Sequence, residues 1–347
     1  MQKLLFATTA LVATAGMAAA DVTFGGYARW GMEYVEDRAN ETEIESRMRL
    51  IVTATTESDA GLSFGAQTRL NIDEDELNTF NQPRFYVAYE GLEVSVGNTQ
   101  GAFEFMPGMY TDSVGLNGLG YENVVFNYAA DAYSSGGQGR QGIDVKYSMG
   151  AFSAHLSYST DETGGTSVAA GDDRLAAFLA YDVNGWTLAG GFQDVNDEVV
   201  GDVSTTGTPT IDEAFETDGN AYTNWVLTAS GPVGPATIIG KIASNDYSNV
   251  AADLDGDGNA DGFHPVGDDA MVYHIGATFD VAAATTVSGF INNDEALDQG
   301  DGVTQFGAGF VHDLGGGASV RGGVATMGNF FDDETITKAD LGVQFSF

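Results

Sequence analysis

The sequence predicts an all-β protein: a 16-stranded antiparallel transmembrane β-barrel with its third long loop folded inward. Three observations predict it. Apolar and polar residues alternate with period two in one segment after another, the signature of half-buried strands. The connections between these segments alternate between short and long. After the N-terminus, no stretch approaches the ~20 apolar residues that a membrane-spanning helix needs. A membrane protein built this way has to be a closed sheet, because hydrocarbon offers no water to satisfy an exposed sheet edge.

The N-terminus sets the expected compartment. Lys3 provides a short positive region, Leu4 to Ala15 is uncharged and apolar, and Ala18-Ala19-Ala20 fits a small-residue cleavage site before Asp21. Residues 1–20 therefore read as a cleaved signal peptide, and residues 21–347 as a single barrel domain. The full chain carries 13 Lys+Arg against 50 Asp+Glu, a net charge of −37, and loss of Lys3 makes it one unit more negative. So acidic a chain is no nucleic-acid binder, and it is repelled by anionic membrane surfaces unless divalent cations intervene. It has no cysteine, although export would permit disulfides, so stability has to come from packing and a closed hydrogen-bond network. With 47 Gly and only 6 Pro, the composition suits many tight turns and strands that keep their ladder donors.

The elements follow in order. In the first strand Val22, Phe24, Gly26, Ala28, Trp30, Met32 and Tyr34 share one face, opposite Thr23, Tyr27, Arg29 and Glu33. A second, near Glu45 to Thr55, sets Met48, Leu50 and Val52 against Arg47, Arg49 and Thr53. A third, Leu62 to Ile72, sets Phe64, Ala66 and Leu70 against Gln67, Arg69 and Asn71. A fourth, about Gln82 to Glu90, sets Phe85, Val87 and Tyr89 against Arg84 and Tyr86, and a fifth is Leu92 to Asn98. Further strands are expected at Gly142–Met149, Ala151–Thr160, Asp173–Val183, Gly185–Asp194, Ala221–Ser230 and Ala236–Asp246. The last five are Ala270–Asp280, Ala284–Asn293, Val303–Asp313, Ala318–Gly328 and Thr337–Phe347. In the final strand Leu341, Val343, Phe345 and Phe347 share one face, as a lipid-facing closing strand requires.

Seven short connections alternate with eight long ones, the tally of an up-and-down barrel with both termini on the periplasmic side. The longest loops are Gly101–Gln141, Val195–Asn220 and Tyr247–Asp269. A structureless segment longer than ~15 residues inside a compact domain implies a function for it. Gly101–Gln141 is therefore expected to fold inward and narrow the lumen, with Asn123–Tyr128 kept in the loop to preserve the even strand count.

The stretches Gly26–Arg38 (GYARWGMEYVEDR) and Ser46–Leu70 (SRMRLIVTATTESDAGLSFGAQTRL), with the terminal LGVQFSF, resemble the alphaproteobacterial general-diffusion porins. The resemblance is most specific over the early strands and the last one. It implies a 16-stranded barrel in the outer membrane, a homotrimer, and a third loop that forms an eyelet whose acids face a row of wall arginines.

The charges suit that reading. Arg29, Arg47, Arg49, Arg69 and Arg84 all fall on the polar face of the first four strands, five of only 13 cationic residues. A cation cluster facing a wet lumen reads as a selectivity element; the alternative is that these arginines pair with acids to hold a loop in place. Their expected counterparts on the long loop are Glu104, Asp112, Glu122 and Asp131. Opposed rows of charge create a transverse field that passes polar solutes and disfavours apolar ones.

A second constellation is Asp253, Asp255, Asp257, Asn259 and Asp261, with Gly258 in the sixth position. Alternate oxygen donors around a glycine turn are how a calcium loop gathers a hard cation. The twelfth position is His264 rather than Glu, and no flanking helices are expected; the alternative is a solvated acidic loop. No catalytic set is visible: His155, His264, His274 and His312 lack metal spacing, and Gly315-Gly316-Gly317 marks a turn rather than a phosphate loop.

The reading is a passive outer-membrane porin, not an enzyme, that passes ions and small hydrophilic solutes and contacts outer-membrane lipids and lipopolysaccharide. No cofactor is required, with Ca2+ as a possible ligand. The alternative of a substrate-specific porin would need an aromatic track beyond Tyr27 and Tyr86. A non-conducting anchor or adhesin and a rim hydrolase are the other rivals.

Overall fold

The computed structural model describes residues 21–73, 80–99, 101–110, 114–116, 119, 141–160, 173–196, 222–247, 250–252, 262–264, 270–295, 302–328 and 335–347. Every regular element among them is a strand: β1 (Asp21–Val35), β2 (Thr42–Glu57), β3 (Ser63–Asp73), β4 (Arg84–Tyr89), β5 (Leu92–Asn98), β6 (Gln141–Met149), β7 (Phe152–Thr160), β8 (Asp173–Val183), β9 (Trp186–Asn196), β10 (Tyr222–Val233), β11 (Ala236–Tyr247), β12 (Val250–Ala252), β13 (Gly262–His264), β14 (Ala270–Ala282), β15 (Thr285–Asp294), β16 (Val303–Gly315), β17 (Ala318–Gly328) and β18 (Thr335–Ser346). Sixteen form one closed antiparallel barrel in which each strand pairs with the next, β11 passes to β14, and β18 returns to β1. The remaining two, β12 and β13, form a separate small hairpin that the sequence pattern does not show.

The tight turns have the chemistry that hairpins demand. Asn184-Gly185 and Glu90-Gly91 have φ of 51° and 82°, and of 44° and 86°. Two successive positive φ values match the right-handed twist of the flanking strands. Asn and Gly accept that conformation readily; Glu at position 90 does so at some cost.

One strand is shorter than expected. The fourth begins at Arg84, not Gln82. Pro83 has no N–H to add to the ladder, and its carbonyl accepts instead from the Asn98 N–H at 3.2 Å.

The barrel is inside-out relative to a soluble protein. Trp30 is 57% exposed while its neighbour Arg29 is 8% exposed. Phe24, Met32, Leu179, Leu227, Ile275, Ile291, Phe306 and Leu341 are likewise exposed, on strands all round the wall. Soluble monomers rarely expose apolar patches beyond a few hundred Å², so this continuous band belongs in lipid.

Closure rests on the β1–β18 ladder, in register from Tyr27↔Ser346 to Val35↔Lys338. It is extended by reciprocal bonds between Gly26 and Phe347, at 3.1 Å and 3.2 Å. At the other end Glu36 accepts the Thr337 N–H at 2.7 Å, and hydrogen bonding from the Thr337 side chain, then from this N–H, holds its carboxyl below the usual carboxylate range. Because that folded-state pKa is depressed, the contribution is present at neutral pH and lost as pH falls through it.

Gly26 is fixed by geometry: its φ is 152°, and a Cβ there would lie 1.9 Å from the Arg49 carbonyl oxygen. Gly26→Ala is expected to destabilise the closed barrel by at least about 1 kcal/mol. The check is the temperature at which the folded band is lost in a heat-modifiability gel; an unchanged transition would refute the close approach.

Candidate functional site

The described part of the long loop lies within the barrel. The Ala102 N–H donates to Ser157 Oγ on β7 at 2.8 Å. Thr228 Oγ1 on β10 donates to the Pro107 carbonyl at 2.7 Å, and Lys241 Nζ on β11 to the Met109 carbonyl at 3.1 Å. Further along, the Leu116 N–H donates to Asp340 Oδ2 on β18 at 2.6 Å, and Arg29 Nη1 on β1 donates to the Leu116 carbonyl at 3.0 Å. A short segment can touch β7, β10, β11, β18 and β1 in turn only from inside a closed barrel.

Apolar packing adds to these bonds on a comparable scale, since three of them involve the charged Lys241, Arg29 and Asp340 and are worth about 1.5–3 kcal/mol each. Ala102, Phe103, Met106 and Met109 are buried among Ala176, Phe178, Ala180, Ala189, Val226, Ala243 and Val272. Val114 and Leu119 pack with Phe290 and Ala325. Burying each large side chain is worth about 1.5–3 kcal/mol, against about 1 kcal/mol for a typical hydrogen bond.

The wall makes room by being small where the loop crosses it. Cβ atoms on Gly309 and Gly323 would stand 3.1 Å and 2.8 Å from the Gly115 nitrogen. On Gly31 and Gly342 they would stand 2.6 Å and 2.3 Å from Leu116 Cδ2. These glycines lie inside strands, so turns account for only part of the high glycine content.

The loop contacts named so far fall on β7–β11, β14–β18 and β1, and Phe105 of the loop reaches Lys146 on β6. The stretch left over, β2 to β5, carries Arg47, Arg49, Arg69 and Arg84 on its inward face. Arg47 is ion-paired with Asp73, and Arg84 with Glu93. Arg84 Nη2 also donates to Ser95 Oγ at 2.6 Å. Arg49 Nε donates to Asn71 Oδ1 at 2.8 Å, and its guanidinium lies 5.2 Å from the Tyr27 ring centre, so both these partners are neutral. Arg84 lies similarly over Tyr86, at 4.9 Å.

Arg29 differs from the rest. It pairs with Glu45 at 2.7 Å and grips the loop backbone, the loop-holding role that was the alternative for the whole cluster. Next to Arg84 lies a network that the sequence does not single out. Asp144 is fully buried, 3.2 Å from His155 Nε2 and 3.8 Å from Lys146 Nζ, and Lys146 lies 3.6 Å from Glu93. Lys146 Nζ also sits 5.6 Å from the ring centre of Phe105, linking wall to loop. Only the register across β4–β7 brings these residues together. Period two already puts each of them on a polar face.

Of the expected loop acids, Glu104 is half-buried on the inward loop. Asp112, Glu122 and Asp131 lie outside the described residues, as do residues 1–20, Asn123–Tyr128, and Asp253, Asp255, Asp257, Asn259 and Asp261. The Asp253–Asp261 segment joins β12 to β13, strands rather than helices. Among the described residues no three His, Cys, Asp or Glu side chains are placed to hold a metal ion. His155 is 3% exposed between Asp144 and Phe178, too enclosed to act on a substrate.

Gly323→Val should push the Val114–Gly115 segment off the wall and into the lumen, because even its Cβ has no room. Single-channel conductance is expected to fall while the barrel still folds; unchanged conductance would mean that this segment does not lie there.

Comparison with known proteins agrees with this geometry. Residues 7–330 match the Gram-negative porin family. A porin of Fuscovulum blasticum is 27% identical over 338 residues, covering 94% of this chain and 100% of that protein. A porin of Rhodobacter capsulatus is 27% identical over 337 residues with the same coverage. The solved structure of a triple mutant of the Rhodopseudomonas blastica porin shares the fold, with a TM-score of 0.66 at 24% identity over 94% of this chain and all of that one. The chain belongs to the Gram-negative porin family, channels of the bacterial outer membrane and not enzymes.

Proposed function

We propose that this porin filters solutes at an eyelet between the inward loop and the β2–β5 wall. Its basic side is Arg47, Arg49 and Arg69, with Arg84, only 4% exposed, acting through its field rather than by contact; its acidic side is Glu104 together with Asp112, Glu122 and Asp131. The observation that carries this reading is the path of the described loop residues, whose hydrogen bonds run from β7 round to β1 rather than to β2, β3 and β4, which carry the other four arginines. Arg29 belongs to the loop's anchorage rather than to the filter.

The wall arginines do not make a simple anion filter. Arg47 and Arg84 have acid partners, while the neutral partners of Arg49 leave its positive charge in the lumen. Ion pairs and loop acids together set up a transverse field, which favours hydrated polar solutes by orientation and size. The chain's net charge of −37 enriches cations at the mouth, within a Debye length of about 8–10 Å at physiological salt. The result is weak cation preference.

Assembly as a homotrimer, seated among outer-membrane lipids and lipopolysaccharide, is part of the same proposal and draws on the family resemblance. So is calcium binding by Asp253, Asp255, Asp257, Asn259 and Asp261, which draws on their spacing. Bound calcium would stiffen an outer loop, and a chelator should then make cleavage within residues 253–261 faster in limited proteolysis.

The deciding measurement is conductance and reversal potential in a planar bilayer under a salt gradient. Ohmic steps grouped in threes and a small cation-side potential are expected. Arg49→Gln should raise cation preference, most visibly at low salt, because it removes a positive charge whose partners among the described residues, Asn71 and Tyr27, are neutral. Anion selectivity of the wild type at low salt would overturn the reading. Saturable block by a single solute would favour the substrate-specific alternative.

A further inference from the structure

We propose that Gly115 and Leu116 of the inward loop staple the seam where the barrel closes, with Arg29 of β1 and Asp340 of β18 as the positioning residues. The seam joins the first and last strands, the pair furthest apart in sequence and linked by no hairpin. Its closure entropy is the largest of any strand pair in the sheet.

Leu116 sits over this seam and is held from both sides of it. Its N–H donates to Asp340 and its carbonyl accepts from Arg29. Its side chain rests on Gly31 and Gly342, which face each other in the seam register. Gly115 continues the contact onto Gly309 of β16 and Gly323 of β17. On the other side Arg29 reaches β2 through Glu45. Arg29, Leu116 and Asp340 are 8%, 4% and 7% exposed, so water has little access to compete for these bonds. Two adjacent loop residues and their clamps thus bridge β2, β1, β18, β17 and β16 from inside.

The start of the loop supplies an internal control. Ser157 holds Ala102 on β7, far from the seam. Loosening the loop there changes the loop without touching β1 or β18.

The test is hydrogen exchange on the full chain refolded in detergent micelles, comparing wild type, Asp340→Ala, Asp340→Asn and Ser157→Ala. In Asp340→Ala the β1 and β18 amides should exchange at least about tenfold faster while those of β9 and β10 stay as in wild type. Asp340→Asn keeps an oxygen to accept the Leu116 N–H and should restore most of the protection. Ser157→Ala should leave the seam unchanged. Wild-type protection of the seam in Asp340→Ala, or equal loosening by Ser157→Ala, would overturn the staple. Should Asp340→Ala fail to fold, Leu116→Gly takes its place with the same expected contrast. The inference uses the loop's position but not its role as a filter. Failure of the exchange test leaves the eyelet standing, and an aberrant reversal potential leaves the staple standing.

Discussion

A strand that crosses hydrocarbon has nowhere to put an unpaired N–H or C=O, and the rest of this structure depends on that constraint. It forces the first strand to find the last, and the ladder from Tyr27↔Ser346 to Val35↔Lys338 is the outcome. It turns apolar side chains outward to the lipid. It also explains the scarcity of proline and the point at which β4 begins, since Pro83 has no donor to give. The reciprocal bonds of Gly26 and Phe347 carry the pairing to the end of the chain.

Closure creates a second problem, which the inward loop solves. A barrel of this size encloses a space too wide for its own side chains to fill. The loop supplies the missing core: Phe103, Met106, Met109 and Leu119 do for the lumen what buried leucines do in a soluble domain. The wall answers with alanine where Phe103 and the loop methionines press on it, and with glycine where the Gly115 backbone and the Leu116 side chain come close. Among the described residues this packing falls on β8 to β11, β14, β15 and β17, while Arg47, Arg49, Arg69 and Arg84 lie on β2 to β4.

The charges divide along the same line. Arg29 is an anchor of the loop, whereas Arg47, Arg49, Arg69 and Arg84, on β2 to β4, form the basic side of the proposed filter. The Asp144–His155–Lys146–Glu93 network lies at the boundary between the two regimes. There a fully buried carboxylate needs several partners to offset its lost hydration.

Period two was legible in the sequence for every barrel strand, and the long–short alternation of connections gave their order and direction. Those signals are local: a side chain's face depends on its own position along one strand, and a turn on a few adjacent residues. The clustering of Arg29, Arg47, Arg49, Arg69 and Arg84 was legible for the same reason, since adjacent strands put one face side by side. Two things were decided only in three dimensions. One was which of those arginines meets an acid, which meets neutral Asn71, and which meets the loop backbone. The other was the role of Asp340, Gly31, Gly309, Gly323 and Gly342 as the bed for a loop more than two hundred residues away from most of them. Both depend on register and on contacts between segments distant in the chain, which no periodicity encodes. The hairpin of β12 and β13 escaped for a related reason: three residues are too few to display a period, and pairing alone defines them.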